Sequence, residues 1–338
     1  MTNGGLVTMG EALVALRATD VGATRMGDRF ELDIAGAESN VAVGVARLGG
    51  RARFIGRVGD DDAGRAIERA LRGEGVDLAI IVDADRPTGM LLASSPAPAR
   101  SRVMYGRAMS AGSRLSPDDF DVETIASAEL LHVTGITPAL SATCTAAVAA
   151  AITIARRNAV TVSFDVNYRS KLWSREQAAV SLLPFVEQCD LLFAGIDEAL
   201  LLLGRDSLGN PSDRPHDPIA LADALHELGP KTVVITDGAD GSWLRSPDGA
   251  HYRQPALPTT VIDSTGAGDA FAAGFLAETL RDAPVPVRLR VAAACGARAC
   301  VGRGDWRNAP TRRELESLLN SDSTGNTSDT SNTDPIER

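Results

Sequence analysis

The sequence predicts an α/β protein in three layers: a central, mostly parallel β-sheet between two layers of helices, accompanied by a small separate sheet. Three observations lead there. Aliphatic runs of strand length alternate with helical patterns through most of the 338 residues, the order of a parallel sheet covered on both faces. Two pairs of short apolar runs interrupt that alternation with no helix between them. Apolar residues make up 44% of the chain but aromatic residues only 4%, so the core is aliphatic, and the length suits one large domain.

In chain order, residues 7–9 read as a short buried strand and 38–48 as an apolar helix. Residues 54–58 follow as a strand and 61–71 as a helix. Strands at 130–133, 160–164, 191–193 and 232–236 then alternate with helices at 143–156, 175–186, 197–203 and 219–228, and a helix at 267–280 completes the pattern. The interrupting runs are 13–16 with 30–34, and 89–94 with 102–105. They pair either as a separate small sheet or as edge hairpins of the main one. From Ser321 onward the chain is Ser, Thr, Asn and Asp with almost nothing apolar, which predicts a disordered tail over 321–338.

The formal charge of −10 argues against a nucleic-acid surface and means that an anionic substrate must be met by locally placed arginines. Cys144, Cys189, Cys295 and Cys300 form no C-x-x-C pair and the four histidines are scattered, so no zinc site is expected. No stretch approaches the length of a membrane span and the start lacks a signal-peptide pattern; a cytoplasmic, reduced protein is expected.

Residues 263–275, DSTGAGDAFAAGF, carry the most chemistry. Gly266-Ala267-Gly268 is a small-residue turn at the start of an apolar helix, where unpaired backbone N–H groups and the helix dipole together make an anion hole. Asp269 follows at once and supplies a base for an incoming hydroxyl, which with positioning and charge stabilisation is most of what phosphoryl transfer needs. The competing reading is a tight turn with Asp269 as a helix cap. Neither G-x-x-x-x-G-K-[ST] nor a G-x-G-x-x-G at this turn is present; the only two lysines, Lys171 and Lys231, follow Ser170 and Pro230.

The string resembles the C-terminal signature of the ribokinase-like (phosphofructokinase B) family of carbohydrate kinases. In that family the aspartate is the catalytic base and the glycine turn the anion hole. Other segments extend the resemblance over roughly residues 5–312. Gly36-Ala37-Glu38-Ser39-Asn40 is similar to the N-terminal G-G-x-x-x-N signature, in which Gly36 and Asn40 meet the sugar, except that Ala35 replaces the first glycine. Gly56 to Gly64 resembles a G-x-x-G-x-D-x-x-G segment to which we assign structure rather than chemistry. Asp165 to Trp173 resembles the D-x-N-x-R-x-x-L-W segment of 2-keto-3-deoxygluconate kinases and fructokinases. Its Arg169 is a candidate carboxylate or phosphate clamp, the alternative being an ion pair with Asp165. Tyr105 and Arg107 sit where those kinases hold an acid sugar. Thr236, Gly238 and Gly241 match a nucleotide loop, T-x-G-x-x-G. Glu198 stands where a magnesium-organising glutamate acts through water, although Gly195 replaces the asparagine expected before it.

The resemblance implies a ribokinase-like domain over 1–320 whose small sheet, from about 12–34 and 88–110, is a lid and an oligomer interface. It implies ATP and Mg²⁺, a sugar or sugar-acid acceptor most like 2-keto-3-deoxygluconate, and no nucleic-acid or membrane partner. Fructose, another sugar or a nucleoside are the alternatives within the family. A catalytically silent regulatory relative is the alternative outside it, although such a relative would be expected to lose Asp269 or the glycines.

Overall fold

A computed structural model describes residues 4–97, 100–205 and 217–324. Among these, the main sheet has nine strands in the order β13-β12-β11-β10-β9-β8-β1-β4-β5. They are β1 (Leu6–Met9), β4 (Ala52–Gly59), β5 (Asp77–Asp83), β8 (Leu130–Thr134), β9 (Thr161–Asp165), β10 (Leu191–Gly195), β11 (Thr232–Thr236), β12 (Ser242–Arg245) and β13 (His251–Gln254). All pairings are parallel from β5 through β11; β12 and β13 add an antiparallel hairpin at one edge. Strand order reverses beside β1, which pairs with β4 on one side and β8 on the other. Open α/β sheets bind ligands at such a switch point, outside the carboxyl ends of the strands.

Two apolar cores flank this sheet. On one face, α1 (Ala37–Arg47), α8 (Ala267–Thr279) and α9 (Val285–Ala299) pack with Leu6, Phe54, Phe193 and Phe275. On the other, α4 (Ala142–Arg157), α5 (Arg175–Val186), α6 (Ile196–Leu202) and α7 (Pro218–His226) pack with Val133, Phe164 and Ile235. Within the first core the helices approach closely because small residues meet. A Cβ on Gly44 of α1 would lie 2.5 Å from the Ala273 Cβ, and one on Gly274 of α8 would lie 3.0 Å from the Ala292 Cα. Phe193 of β10 meets the Phe275 ring edge-on at 5.5 Å, fixing α8 against the strand ends.

The interrupting runs form the separate sheet rather than edge hairpins. Its order is β3-β2-β6-β7, from β2 (Leu13–Val21), β3 (Phe30–Ala35), β6 (Met90–Ala97) and β7 (Arg100–Gly106). β2 pairs antiparallel with β3 and parallel with β6, and β6 pairs antiparallel with β7. Three main-sheet strands, β5, β12 and β13, lie outside the sequence expectation, as do α9 and the short helix α3 (Val122–Ala126). So does α10 (Arg312–Thr324), and α2 (Asp62–Gly73) starts one residue later than expected. Asp61 is the cap of α2, accepting from Gly64 N–H at 2.8 Å, and it also accepts from Thr88 N–H at 2.8 Å; the Gly56–Gly64 segment is thus a structural joint. α10 carries helix four residues past the boundary at 321; residues 325–338 lie outside the described residues.

Candidate active site

The carboxyl ends of β1, β8, β9, β10 and β11 open into a cavity of ≈ 760 Å³, closed on the far side by β2, β3, β6 and β7. Of the residues singled out in the sequence, Gly36, Asn40, Tyr105, Arg107, Arg169, Glu198, Thr236, Gly238, Gly266, Gly268 and Asp269 line it. Ala267 and Gly241 do not. Ala267 packs towards the core. Gly241, at φ 101°, is glycine because a Cβ there would lie 2.3 Å from the Gln254 carbonyl oxygen, so it serves the β12–β13 edge.

The helix start is built as its composition requires. Gly266 has a left-handed φ of 78°, and a Cβ on it would stand 2.0 Å from the Asp305 carbonyl oxygen. The Ala267 N–H bonds to the Ser264 carbonyl at 3.2 Å; those of Gly266, Gly268 and Asp269 have no backbone partner among the described residues. Gly268 is in helical conformation and a Cβ there meets no protein atom within 4 Å. Its glycine therefore answers to no protein neighbour and leaves the cavity open beside two unpaired N–H groups.

Asp269 is buried. It accepts from the Asn40 side-chain amide at 2.7 Å on Oδ2 and from that of Asn167 at 3.4 Å on Oδ1. Helix cap is not its role, because Gly266 occupies that position and no side chain caps α8. The Oδ1 atoms of both asparagines are buried without a hydrogen-bond partner, acceptors left for a ligand's hydroxyls. Asn167 also donates to Asp165 Oδ2 at 2.9 Å and holds a left-handed φ of 40°, a conformation that costs a non-glycine residue and is fixed here by its two carboxylates. Burial, reinforced by the charges of Glu198 and Asp269, pushes Asp165 up to about 8. Glu198 accepts Gly195 N–H and Tyr168 N–H, both at 2.8 Å, and burial raises it too. It is a buttress of two loops as well as a cavity residue, not a solvated helix side chain.

The arginines differ from one another. Arg169 is exposed at the cavity wall, and its guanidinium makes no hydrogen bond or contact ion pair among the described residues. Its charge nevertheless acts on Asp165 and Glu198, opposing the rise that burial imposes on both carboxyls, so it faces Asp165 across the cavity without touching it. Arg107 is committed: its Nε and Nη2 reach Glu11 Oε2 at 2.7 and 2.5 Å, and its guanidinium stands 5.4 Å from the Tyr105 ring centre. Arg17, unnoticed in the sequence, joins Asp33 at 3.3 Å and Asp305 at 2.5 Å. Asp305 is pushed up to about 6 by burial, with Arg17 opposing and the charge of Asp269 adding to the rise. Asp305 had no sequence signal, since it lies 36 residues beyond Asp269 in an irregular loop; Asp165 and Asn167 had one, in the segment already noted for Arg169. Ala35 needs no glycine: it is the last residue of β3, paired with Leu13, and the unusual φ of 144° belongs to Gly36.

Residues 4–312 match the model of the pfkB family carbohydrate kinases. The chain belongs to the pfkB family of carbohydrate kinases. It is 38% identical to a 2-dehydro-3-deoxygluconokinase of Thermoproteus tenax over 321 residues, covering 93% of this chain and 94% of that one. Among solved structures it resembles a 2-dehydro-3-deoxygluconokinase of Thermotoga maritima, with a TM-score of 0.84 and 28% identity over 93% of this chain and 98% of the other. It also resembles a putative ribokinase II of E. coli in complex with ATP and Mg²⁺, with a TM-score of 0.83 and 25% identity over 94% and 99% of the two chains. This pfkB-family kinase thus has the ribokinase-like fold, and among its described residues no helix is long and apolar enough to cross a membrane.

Proposed function

We propose that this kinase transfers the γ-phosphoryl group of ATP to the 6-hydroxyl of 2-keto-3-deoxygluconate. The observation that carries the substrate is Arg169: a guanidinium with no hydrogen-bonded or contact ion-pair partner among the described residues, on the wall of the cavity that holds Asp269, in a protein of net charge −10. A planar fork of donors suits a carboxylate. The relatives of that name add weight.

In this reading Asp269 Oδ accepts the hydroxyl proton as the hydroxyl oxygen bonds to the γ-phosphorus. The bond from that phosphorus to the β–γ bridging oxygen breaks, and ADP leaves. Asn40 and Asn167 hold the Asp269 carboxylate and turn their free Oδ1 atoms to sugar hydroxyls. The N–H groups of Gly266, Gly268 and Asp269 receive the charge of the transferring group, and Thr236 and Gly238 face the nucleotide. Asp165 and Glu198 fit Mg²⁺: they are oxygen donors in one cavity, and the burial that raises Asp165, reinforced by the charges of Glu198 and Asp269, is opposed by a bound cation. Among the described residues no cluster of three or more ligating side chains exists, so they would hold the ion through water and phosphate. When bound, the ion supplies neutralisation of phosphate charge.

One observation favours the neutral-sugar alternative: Glu11 already balances Arg107, and the charge of Arg169 is already partly offset by Asp165 and Glu198. ADP release across a panel of sugars and sugar acids separates the two. Higher kcat/KM for 2-keto-3-deoxygluconate than for fructose is expected; the reverse order makes the enzyme a fructokinase.

The small sheet would serve as lid and as dimer interface with a second copy. In support, Leu32, Leu16, Leu92 and Met104 are in register across its outer face, and Leu32 and Met104 are 56% and 64% exposed. All four cysteines are free thiols, which fits a cytoplasmic setting.

A further inference from the structure

The chain passes between the main and small sheets at four places: from β1 into β2, from β3 into α1, from β5 into β6, and out of β7 towards α3. Glu11 sits in the first passage, and the other three close around it. A Cβ on Gly36, in the second, would lie 2.5 Å from the Glu11 carbonyl oxygen. One on Gly89, in the third, would lie 2.6 Å from Glu11 Oε1, and one on Gly112, in the fourth, 2.4 Å from Glu11 Cγ. Arg107 and Ser110, also in the fourth, donate to its carboxylate, Arg107 twice to Oε2 and Ser110 to Oε1. The side chain has no exposed surface. Passages three and four are stitched together directly, by Ala111 N–H to the Pro87 carbonyl at 2.8 Å. A buried carboxylate in such a place is costly unless its partners stay where they are. Each partner belongs to a passage that must flex if the small sheet moves.

We propose that Glu11 is the positioning residue of the small sheet, the point about which all four passages are registered, and that it aims Arg107 into the cavity. The second part rests on the reading that this cavity takes the phosphoryl acceptor; the first does not. Gly112 is then glycine to leave room for Glu11, while Gly89 makes room for both Leu13 and Glu11, and Gly36 combines a positive φ with its approach to the Glu11 carbonyl. The Glu11–Arg107 pair also sets selectivity, because it holds the guanidinium fixed, with Nε and Nη2 turned away from the substrate.

The test is Glu11→Gln in the full-length protein, which keeps the volume, removes the charge and sets an amide N–H₂ against Arg107. Without ligands, amide exchange at residues 13–17, 90–94 and 107–112 should accelerate by about tenfold while β8 to β11 keep their protection. With the sugar that wild type phosphorylates, KM for that sugar should rise by about tenfold. KM for ATP should hold, and kcat should fall less. In an Arg107→Gln background, Glu11→Gln should add no more than about twofold to the sugar KM. Unchanged exchange in the small sheet, equal loss of protection everywhere, or additive effects of the two substitutions would overturn the proposal. If Glu11→Gln does not fold, Ser110→Ala removes one of the carboxylate's donors, and the same pattern at smaller amplitude is required of it. A wild type that phosphorylates no sugar would refute the functional reading, while the exchange measurement would still decide the positioning role.

Discussion

Gly266 and Gly268 are two residues apart, yet substitution should separate folding from chemistry. Gly266→Ala places a Cβ 2.0 Å from the Asp305 carbonyl oxygen, about half the distance of a normal contact, at a φ of 78°. The left-handed backbone costs about 1–2 kcal/mol for a residue with a Cβ, and the overlap adds about 1–3 kcal/mol of overpacking. A loss of about 2–5 kcal/mol in unfolding free energy is expected from these two terms. Gly268→Ala meets no protein atom within 4 Å and lies in helical conformation. Exchanging glycine for alanine within a helix gains about 0.5–1 kcal/mol, so this variant should be as stable as wild type or more so. Its methyl group, however, enters the space beside the unpaired N–H groups of Gly268 and Asp269. If the phosphoryl group binds there, kcat should fall by about 10²–10³-fold, the cost of losing one preorganised donor. Urea unfolding and ADP release on both variants give the answer. A Gly268→Ala enzyme with wild-type turnover would refute the assignment of this turn to the phosphoryl group. A Gly266→Ala enzyme of undiminished stability would refute the packing argument.

Asp269→Asn should keep the fold and nucleotide affinity but lose about 10²–10⁴-fold in kcat, the range for a positioned proton acceptor; turnover within tenfold of wild type would remove Asp269 from the role of base. Arg169→Ala should raise KM for an acid sugar by about tenfold or more and leave fructose unaffected, so equal effects on both sugars would count against a carboxylate clamp. Leu32→Glu with Met104→Glu should convert a dimer to monomer in sedimentation, and a wild type already monomeric at micromolar concentration would dismiss that interface. His132 is fully buried and held down to about 3 by that burial, with Nδ1 3.0 Å from Ser163 Oγ. Because the folded state refuses a proton that the unfolded state binds, its contribution to stability is present above the unfolded pKa of 6.5 and is lost as pH falls towards 3. Between about pH 5.5 and 4 it should account for about 1.4 kcal/mol per pH unit, less near 6.5 where the unfolded imidazole is only half protonated, a slope that His132→Gln should remove in urea titrations.

The sequence by itself determined the layered α/β order, the four short runs that interrupt it and the Gly266–Asp269 helix start, because these depend on local spacing; that the four runs form a sheet of their own came from the structure. Alternation places side chains on alternate faces of a strand, and a glycine turn before an apolar helix leaves donors unpaired wherever it occurs in a chain. The strands β5, β12 and β13 escaped that reading. β5 is a continuous apolar run from Leu78 to Val82 that does not alternate, and β13, His251–Gln254, has only one apolar residue. β12 is only four residues long.

Only the tertiary structure decided what each charge faces. Arg107 and Arg169 looked alike in sequence, but Arg107 is held in contact by buried Glu11, whereas Arg169 stands at the cavity wall and acts on Asp165 and Glu198 only at a distance. Glu198 matched a metal position yet proved to brace Gly195 and Tyr168 N–H groups. Asp305, Arg17 and Glu11 carried no motif, because their partners lie 288 residues away in one case and 96 in another. Electrostatic environment is set by distance through space and by exclusion of water, and neither quantity is written in the order of residues along the chain.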